Sequence, residues 1–159
     1  MQYSIDLDPI DWRLLDLLQA DASLTNQALA EAAHVSPATA LRRVKRLRDL
    51  GVIERITALL APRFAERGLS AICEITLDRQ GDEHQAAFEA RAVADAAVQQ
   101  CWRVSPGPDF VLVAWAADMP AFHAFTQRLF TQDANVRNVK TFFALKRAKF
   151  DPRVEAITP

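Results

Sequence analysis

The chain has 159 residues, half of them hydrophobic and a quarter charged, which is enough to bury a core and excludes the apolar-poor composition of a disordered chain. Nineteen basic residues nearly balance twenty acidic ones, for a net charge of −1, so the chain taken whole favours no particular partner. No run of about 18 apolar residues is present to span a membrane, Met1-Gln2-Tyr3-Ser4-Ile5-Asp6 leads into no hydrophobic signal core, and Cys73 and Cys101 are too far apart for a disulfide framework or a zinc knuckle; the expectation is a cytoplasmic soluble protein.

The first fifty residues predict three helices. Asp8 can cap the first, with Pro9 at its first position. Ile10, Leu14, Leu17 and Leu18 then recur on one face, and Asp11 and Asp16 fall elsewhere. Thr25 can cap a short second helix with Ala28, Leu29 and Ala32 inward. The third has the clearest boundaries: Ser36 as N-cap, Pro37 at the first helical position and Gly51 as the left-handed terminator. Ala40, Val44, Leu47 and Gly51 share one face of it, and Thr39, Arg42, Arg43 and Arg46 lie mostly on the others.

Val52 to Leu60 is rich in β-branched and aliphatic residues and predicts a strand, followed by a charged connector over Pro62–Gly68. The chain therefore divides into a helical segment (1–52), a linking strand and connector (53–67) and a C-terminal domain (68–159). The last alternates: a strand over Leu69–Leu77, a helix over Asp82–Ala94 carrying Ala87, Phe88, Ala90 and Ala94, and a strand over Val98–Val104. A dense turn, Ser105-Pro106-Gly107-Pro108-Asp109, follows. Phe110–Ala116 predicts a central, covered strand, Pro120–Phe130 a helix with Phe122, Phe125, Leu129 and Phe130, and Val136–Leu145 a last strand. The β-α-β-β-α-β order predicts an antiparallel sheet with helices on one face, the ferredoxin-like plan. The fold class is α+β: three N-terminal helices joined to this domain.

Between Ser36 and Arg55 lie six basic residues, Arg42, Arg43, Lys45, Arg46, Arg48 and Arg55, against Asp49 and Glu54; before them Arg13 stands against six acids. A short helix, the turn Ala33-His34-Val35 and a capped basic helix make the helix-turn-helix plan, whose second helix projects its N-terminal half into a major groove. Ser36, Pro37, Thr39, Arg42, Arg43 and Arg46 are the candidate DNA contacts, arginine being suited to guanine and phosphate alike. A solvated basic face is the plain alternative. A membrane-facing helix fits worse, because its apolar face is small and needed for the core. With Arg43 on the exposed basic face, Arg43→Ala is expected to weaken DNA binding and leave the fold intact.

These residues resemble the feast/famine (leucine-responsive, Lrp/AsnC) family of transcription regulators. Leu7-Asp8-Pro9-Ile10-Asp11, Leu14-Leu15, Leu18-Gln19 and Asp21-Ala22 match its opening helix. Val35-Ser36-Pro37-Ala38-Thr39, Arg42-Arg43-Val44-Lys45-Arg46-Leu47 and Gly51-Val52-Ile53 match its winged helix-turn-helix. Val104-Ser105, Asp109-Phe110, Val136, Val139, Thr141, Leu145 and Lys149 match its effector domain. Three positions depart: Ser23 where the family commonly has arginine, His34 where it has glycine before the recognition helix, and Pro106 where it has the turn glycine, Gly107 being displaced by one.

The resemblance implies a cytoplasmic, nucleoid-associated regulator of transcription. It implies a homodimer sharing the Ile53–Leu60 strand region, often four dimers as an octamer, on double-stranded DNA with a roughly palindromic operator. It also implies an amino acid or related metabolite as effector and no cofactor. Ser105, Gly107, Asp109 and Thr141 are the candidate effector residues, with Asp109 accepting from an amino group or simply ending the turn.

Other chemistry is poorly supported. His34, His84, His123, Cys73 and Cys101 have no metal-ligand spacing, and no nucleophile motif or phosphate-binding glycine loop occurs. An architectural DNA-binding protein without effector response, or a small metabolic enzyme on the ferredoxin-like half, are the alternatives carried forward.

Overall fold

The structure, a computed structural model, describes residues 5–65 and 67–155; the reading of Met1–Ser4 lies outside them. Two units divide the chain, one built on residues up to Leu59 together with those from Phe150 on, the other on Leu60–Lys149.

The first unit holds three helices: α1 (Pro9–Ala20), α2 (Asn26–Ala33) and α3 (Pro37–Asp49). Their starts follow the local chemistry. Asp8 accepts from the Ile10 and Asp11 amides at 2.9 Å, and Asp11 returns to the Asp8 amide at 3.3 Å, a reciprocal cap that satisfies the orphan donors of α1. Thr25 Oγ1 accepts from the Ala28 amide. Leu14, Ala30, Ala33 and Ala40 are fully buried, with Leu29 beside them. Three alanines at the centre let the helices approach closely, and burying each leucine contributes roughly 1.5–3 kcal/mol. On α2 the inward residues are Leu29, Ala30 and Ala33, with Ala32 exposed and Ala28 half-buried, so the expected face is corrected by about one position. Asp11, expected off the packed face, is buried.

Val52–Leu60 is not a strand in this chain. It runs as irregular backbone, with Ile56, Leu59 and Leu60 exposed. β propensity expresses a fit to a paired, half-buried surface, and among the described residues no strand pairs with this segment. A four-residue helical turn, α4 (Pro62–Ala65), follows within the connector.

The second unit is a four-stranded antiparallel sheet of order β2-β3-β1-β4, from β1 (Leu69–Leu77), β2 (Val98–Arg103), β3 (Phe110–Ala116) and β4 (Val136–Phe143). Helices α5 (Asp82–Ala94) and α6 (Met119–Thr126), the latter continued by a π-helical turn over Gln127–Thr131, complete the βαββαβ order. Strand β1 lies between β3 and β4, with Ile75 opposite Phe110 and Val139. Alternate residues Ala71, Cys73, Ile75, Leu77, Phe110, Leu112, Ala114 and Ala116 are buried beneath Phe88, Ala92, Phe122, Phe125, Leu129 and Phe130. The Phe88 and Phe110 rings lie 4.9 Å apart and Phe122 meets Phe143 edge-on at 5.0 Å, spacings that favour tilted aromatic pairs. On α5, Phe88 and Ala92 carry the contact with the sheet, and Ala87, Ala90 and Ala94 are exposed.

Strand β3 is central, as expected, but covered on one side only. The other sheet face carries Trp102, Val113, Ile72 and Phe142 in adjacent rows, and Trp102, Ile72 and Phe142 are exposed.

Candidate functional site

The α2–α3 junction sets the candidate DNA-reading helix. Helix α2 stops at His34, whose backbone is left-handed (φ 57°, ψ 45°) and whose amide turns back to the Ala30 and Glu31 carbonyls. Val35 donates to the Ala30 carbonyl at 2.9 Å, a helix ending that usually employs glycine. Arg13 Nη1 donates to the Ala33 carbonyl at 3.0 Å, adding a cation at the negative end of α2. The chain then enters α3 through Ser36, whose hydroxyl accepts the Thr39 amide at 3.2 Å and lies 2.9 Å from the Thr39 hydroxyl. Asn26 Nδ2 donates to the Pro37 carbonyl at 2.9 Å, tying the first turn of α2 to the first turn of α3.

Ser36, Pro37, Leu41, Arg42, Lys45 and Arg48 are exposed on α3, and Thr39 is half-buried. The N-terminal half of the helix therefore presents hydroxyls, a capped first turn and a guanidinium to solvent, which is what groove reading and phosphate contact require.

Arg43 is placed differently from the expectation, and Arg46, though exposed, is also paired with α1. Arg43 is not on an exposed face: its side chain is 20% exposed, and Nη1 donates to Asp8 Oδ2 at 2.6 Å and to Asp11 Oδ1 at 2.9 Å. Arg46 Nη1 donates to Asp11 Oδ2 at 3.0 Å and its Nη2 to the Asp6 carbonyl at 3.2 Å. Asp11 itself is 1% exposed. The Asp11 amide holds the Asp8 carboxyl below the usual 3.8, and the Arg43 guanidinium adds to that; Asp8, then Asp11, hold the Arg43 proton more firmly. The remaining pair on α3, Lys45 with Asp49 at 2.5 Å, is exposed on both sides.

The residues expected at the effector site are only partly gathered. Ser105, Gly107 and Asp109 share the β2–β3 loop, where Ser105 and Gly107 are exposed, the Ser105–Pro106 bond is cis and Gly107 has φ 125°. Asp109 is 8% exposed and tied to the scaffold. Its Oδ2 accepts the Leu77 amide at 2.7 Å and Gln80 Nε2 at 3.3 Å, and its own amide donates to the Ile75 carbonyl at 2.8 Å. Of its two readings, ending the turn has the geometry behind it. Thr141 is not in that loop. It lies on β4 opposite Cys73, on the helix-covered face, with its hydroxyl 3.7 Å from the Cys73 sulfur. Burial pushes the Cys73 thiol pKa up, which keeps it a protonated, unreactive packing group.

Sequence reasoning missed Asp11. The Asp8-x-x-Asp11 spacing signals a cap, but nothing local announces that the second carboxylate also reaches two arginines more than thirty positions on. It also missed Gln19, whose side-chain amide clasps the Val154 backbone, donating to its carbonyl at 3.0 Å and accepting from its amide at 2.9 Å. Among the described residues no cluster of three His, Cys, Asp or Glu side chains suits a metal ion, and no helix is long and apolar enough to cross a membrane.

Comparison with known proteins places both units. Residues 7–54 match the winged helix-turn-helix DNA-binding family and residues 70–154 the Lrp/AsnC ligand binding domain. The chain is 35% identical to the leucine-responsive regulatory protein of Rhizobium meliloti, over 98% of this chain and 99% of that protein. It is 33% identical to the DNA-binding transcriptional activator DecR of Escherichia coli, over 91% and 95%. Among solved structures it superposes with TM-score 0.81 and 30% identity on a transcriptional regulator of Neisseria meningitidis in complex with L-Met, covering 94% of this chain and 96% of that one.

Proposed function

Because the chain belongs to the Lrp/AsnC family of DNA-binding transcription regulators, we propose that it reads a two-fold DNA operator through α3 and answers to an amino acid or a related metabolite. The observation that carries the DNA half is the outward N-terminal turn of α3, where Ser36, Pro37, Thr39 and Arg42 stand together. Thr39 and Arg42 are spaced to meet base edges, and the Ser36 hydroxyl to meet phosphate.

Two copies of this chain are the assembly unit. A one-sided antiparallel sheet with Trp102, Ile72 and Phe142 in the open calls for an apolar partner surface, and a second copy offers the same face. Val52–Leu60, unpaired within one chain, gains a ladder when two copies lay these segments side by side. Two-fold symmetry in the protein then demands a roughly palindromic site, with half-sites about one helical turn or a multiple apart. Octamers of four such dimers belong to the same reading. The protein works on cytoplasmic, nucleoid DNA.

The effector half is supported by the Neisseria regulator, which holds L-Met. Here Ser105 and Gly107 are the accessible groups of the β2–β3 loop, Asp109 fixes that loop from below, and Thr141 lines the next layer of the sheet. An effector can act only through its differential affinity for two arrangements of the assembly, and hence for two spacings of the DNA-reading helices.

The test is a gel shift of the purified full chain on DNA upstream of its own and neighbouring genes, with and without a panel of amino acids and their catabolites. Sequence-preferring binding that one panel member alters is the expected result. Binding that no member alters would favour the architectural role, and no binding at low salt would overturn the DNA assignment.

A further inference from the structure

The basic stripe of α3 is smaller in space than in sequence. Two of its arginines are claimed by α1. Asp11, buried under the helix pair, gives one carboxylate oxygen to Arg43 and the other to Arg46, and Asp8 gives a second oxygen to Arg43. The four charges cancel. Arg43 Nε is buried and has no partner among the described residues, and both carboxylate contacts of this guanidinium run through Nη1. Removing one partner of a buried pair leaves an uncompensated charge, which is costly. A phosphate at the exposed surface therefore competes poorly for either arginine. Lys45 is different: its partner Asp49 is exposed, and such pairs are worth little against an incoming anion.

We propose that Asp8 and Asp11 withhold Arg43 and Arg46 from the DNA backbone, and that Asp11 is thereby a specificity-determining positioning residue of the DNA-reading unit. The inference rests on the assignment of α3 as the DNA-reading helix. Phosphate contacts bind every sequence equally. Cancelling two cations on the helix lowers affinity for random DNA without touching the base-reading residues Thr39 and Arg42, so the ratio between operator and random sites rises.

The experiment is a salt titration of DNA binding by the full chain on operator and on random duplex, for wild type, Asp11→Asn, Arg43→Ala and Arg42→Ala. Each phosphate contact adds about −0.9 to the slope of log affinity against log salt. Asp11→Asn is expected to steepen the slope by about 0.9 for each arginine it frees, which makes a fourfold drop in salt worth about 3.5-fold more affinity per freed arginine. It is also expected to narrow the operator-to-random ratio. Arg43→Ala is expected to leave the slope unchanged while lowering the melting temperature. An unchanged slope and ratio in folded Asp11→Asn would overturn the proposal, as would a slope shallower by about 0.9 in Arg43→Ala. Should Asp11→Asn fail to fold by circular dichroism, the Arg43→Ala slope decides alone. Arg42→Ala separates the two levels: operator affinity unchanged in Arg42→Ala sinks the assignment of α3 itself, whereas weakened Arg42→Ala together with a shallower slope in Arg43→Ala sinks only the withholding.

Discussion

Asp109 and Leu77 are joined across the end of the sheet by one buried hydrogen bond, the Asp109 carboxylate accepting the Leu77 amide at 2.7 Å. The bond pins the β2–β3 loop to the last residue of β1 and satisfies that buried donor. Asp109→Ala is expected to cost about 1–3 kcal/mol, the penalty for an orphaned buried amide. Asp109→Asn, whose amide oxygen can still accept, should lose less. Urea denaturation of the three proteins checks the order; equal midpoints would show that the loop holds without this bond.

His34 holds a left-handed conformation at the C-terminus of α2. Glycine adopts it without penalty, and a side chain there costs roughly 1–2 kcal/mol. His34→Gly should therefore stabilise the helical unit by up to about 1 kcal/mol, and His34→Val should destabilise it. Thermal melts of both variants give the sign directly.

Two glycines predict different costs for alanine. At Gly68 a Cβ would sit 2.4 Å from the Ala116 carbonyl oxygen and 2.7 Å from the Trp115 ring, so backbone must move. At Gly51 the space is open and only φ 71° resists. Gly51→Ala should cost about 1 kcal/mol, and Gly68→Ala clearly more. A Gly68→Ala protein melting at the wild-type temperature would contradict the close approach.

The Asp95 carboxyl is held below the usual 3.8 mainly by the Arg128 guanidinium, at 2.6 Å, with the Ala97 amide adding to it against the opposing effect of burial. A carboxyl depressed in the folded state stabilises fully above its unfolded value and loses that contribution as pH falls through the folded one. Arg128→Ala should thus lower stability above about pH 5, and the gap to wild type should close below 3.8. Arg128 is half exposed, so the gap is at most about 1 kcal/mol. Urea midpoints measured from about pH 6 to pH 2 test this; a gap that widened on acidification would reverse the sign.

What the sequence made legible was local. Ser36 with Pro37, Asp8 with Pro9, and Thr25 announce helix starts, because a cap is a bond between neighbours. The β2–β3 turn and the alternation in β1 and β3 are equally short-range. Three features were not local. The burial of Asp11 depends on arginines of another helix. The inward face of α2 depends on where α1 and α3 cross it, and alanines on both faces leave the choice open. Val52–Leu60 has the composition of a strand, but a strand is a pairing, and among the described residues no strand pairs with it. At the candidate site, Ser36 and Arg42 stand where the spacing put them, while Arg43 and Asp109 turned out to be held by neighbours that no spacing rule names.

The central claim is that the outward turn of α3 reads DNA. Fluorescence anisotropy of the full chain on a labelled upstream duplex, wild type against Arg42→Ala at one salt concentration, tests it most directly. Loss of a base-edge or phosphate contact predicts about 1–3 kcal/mol weaker binding, roughly a five- to 150-fold rise in Kd, with the melting temperature unchanged. Equal affinity of the two proteins for the same duplex would contradict the claim.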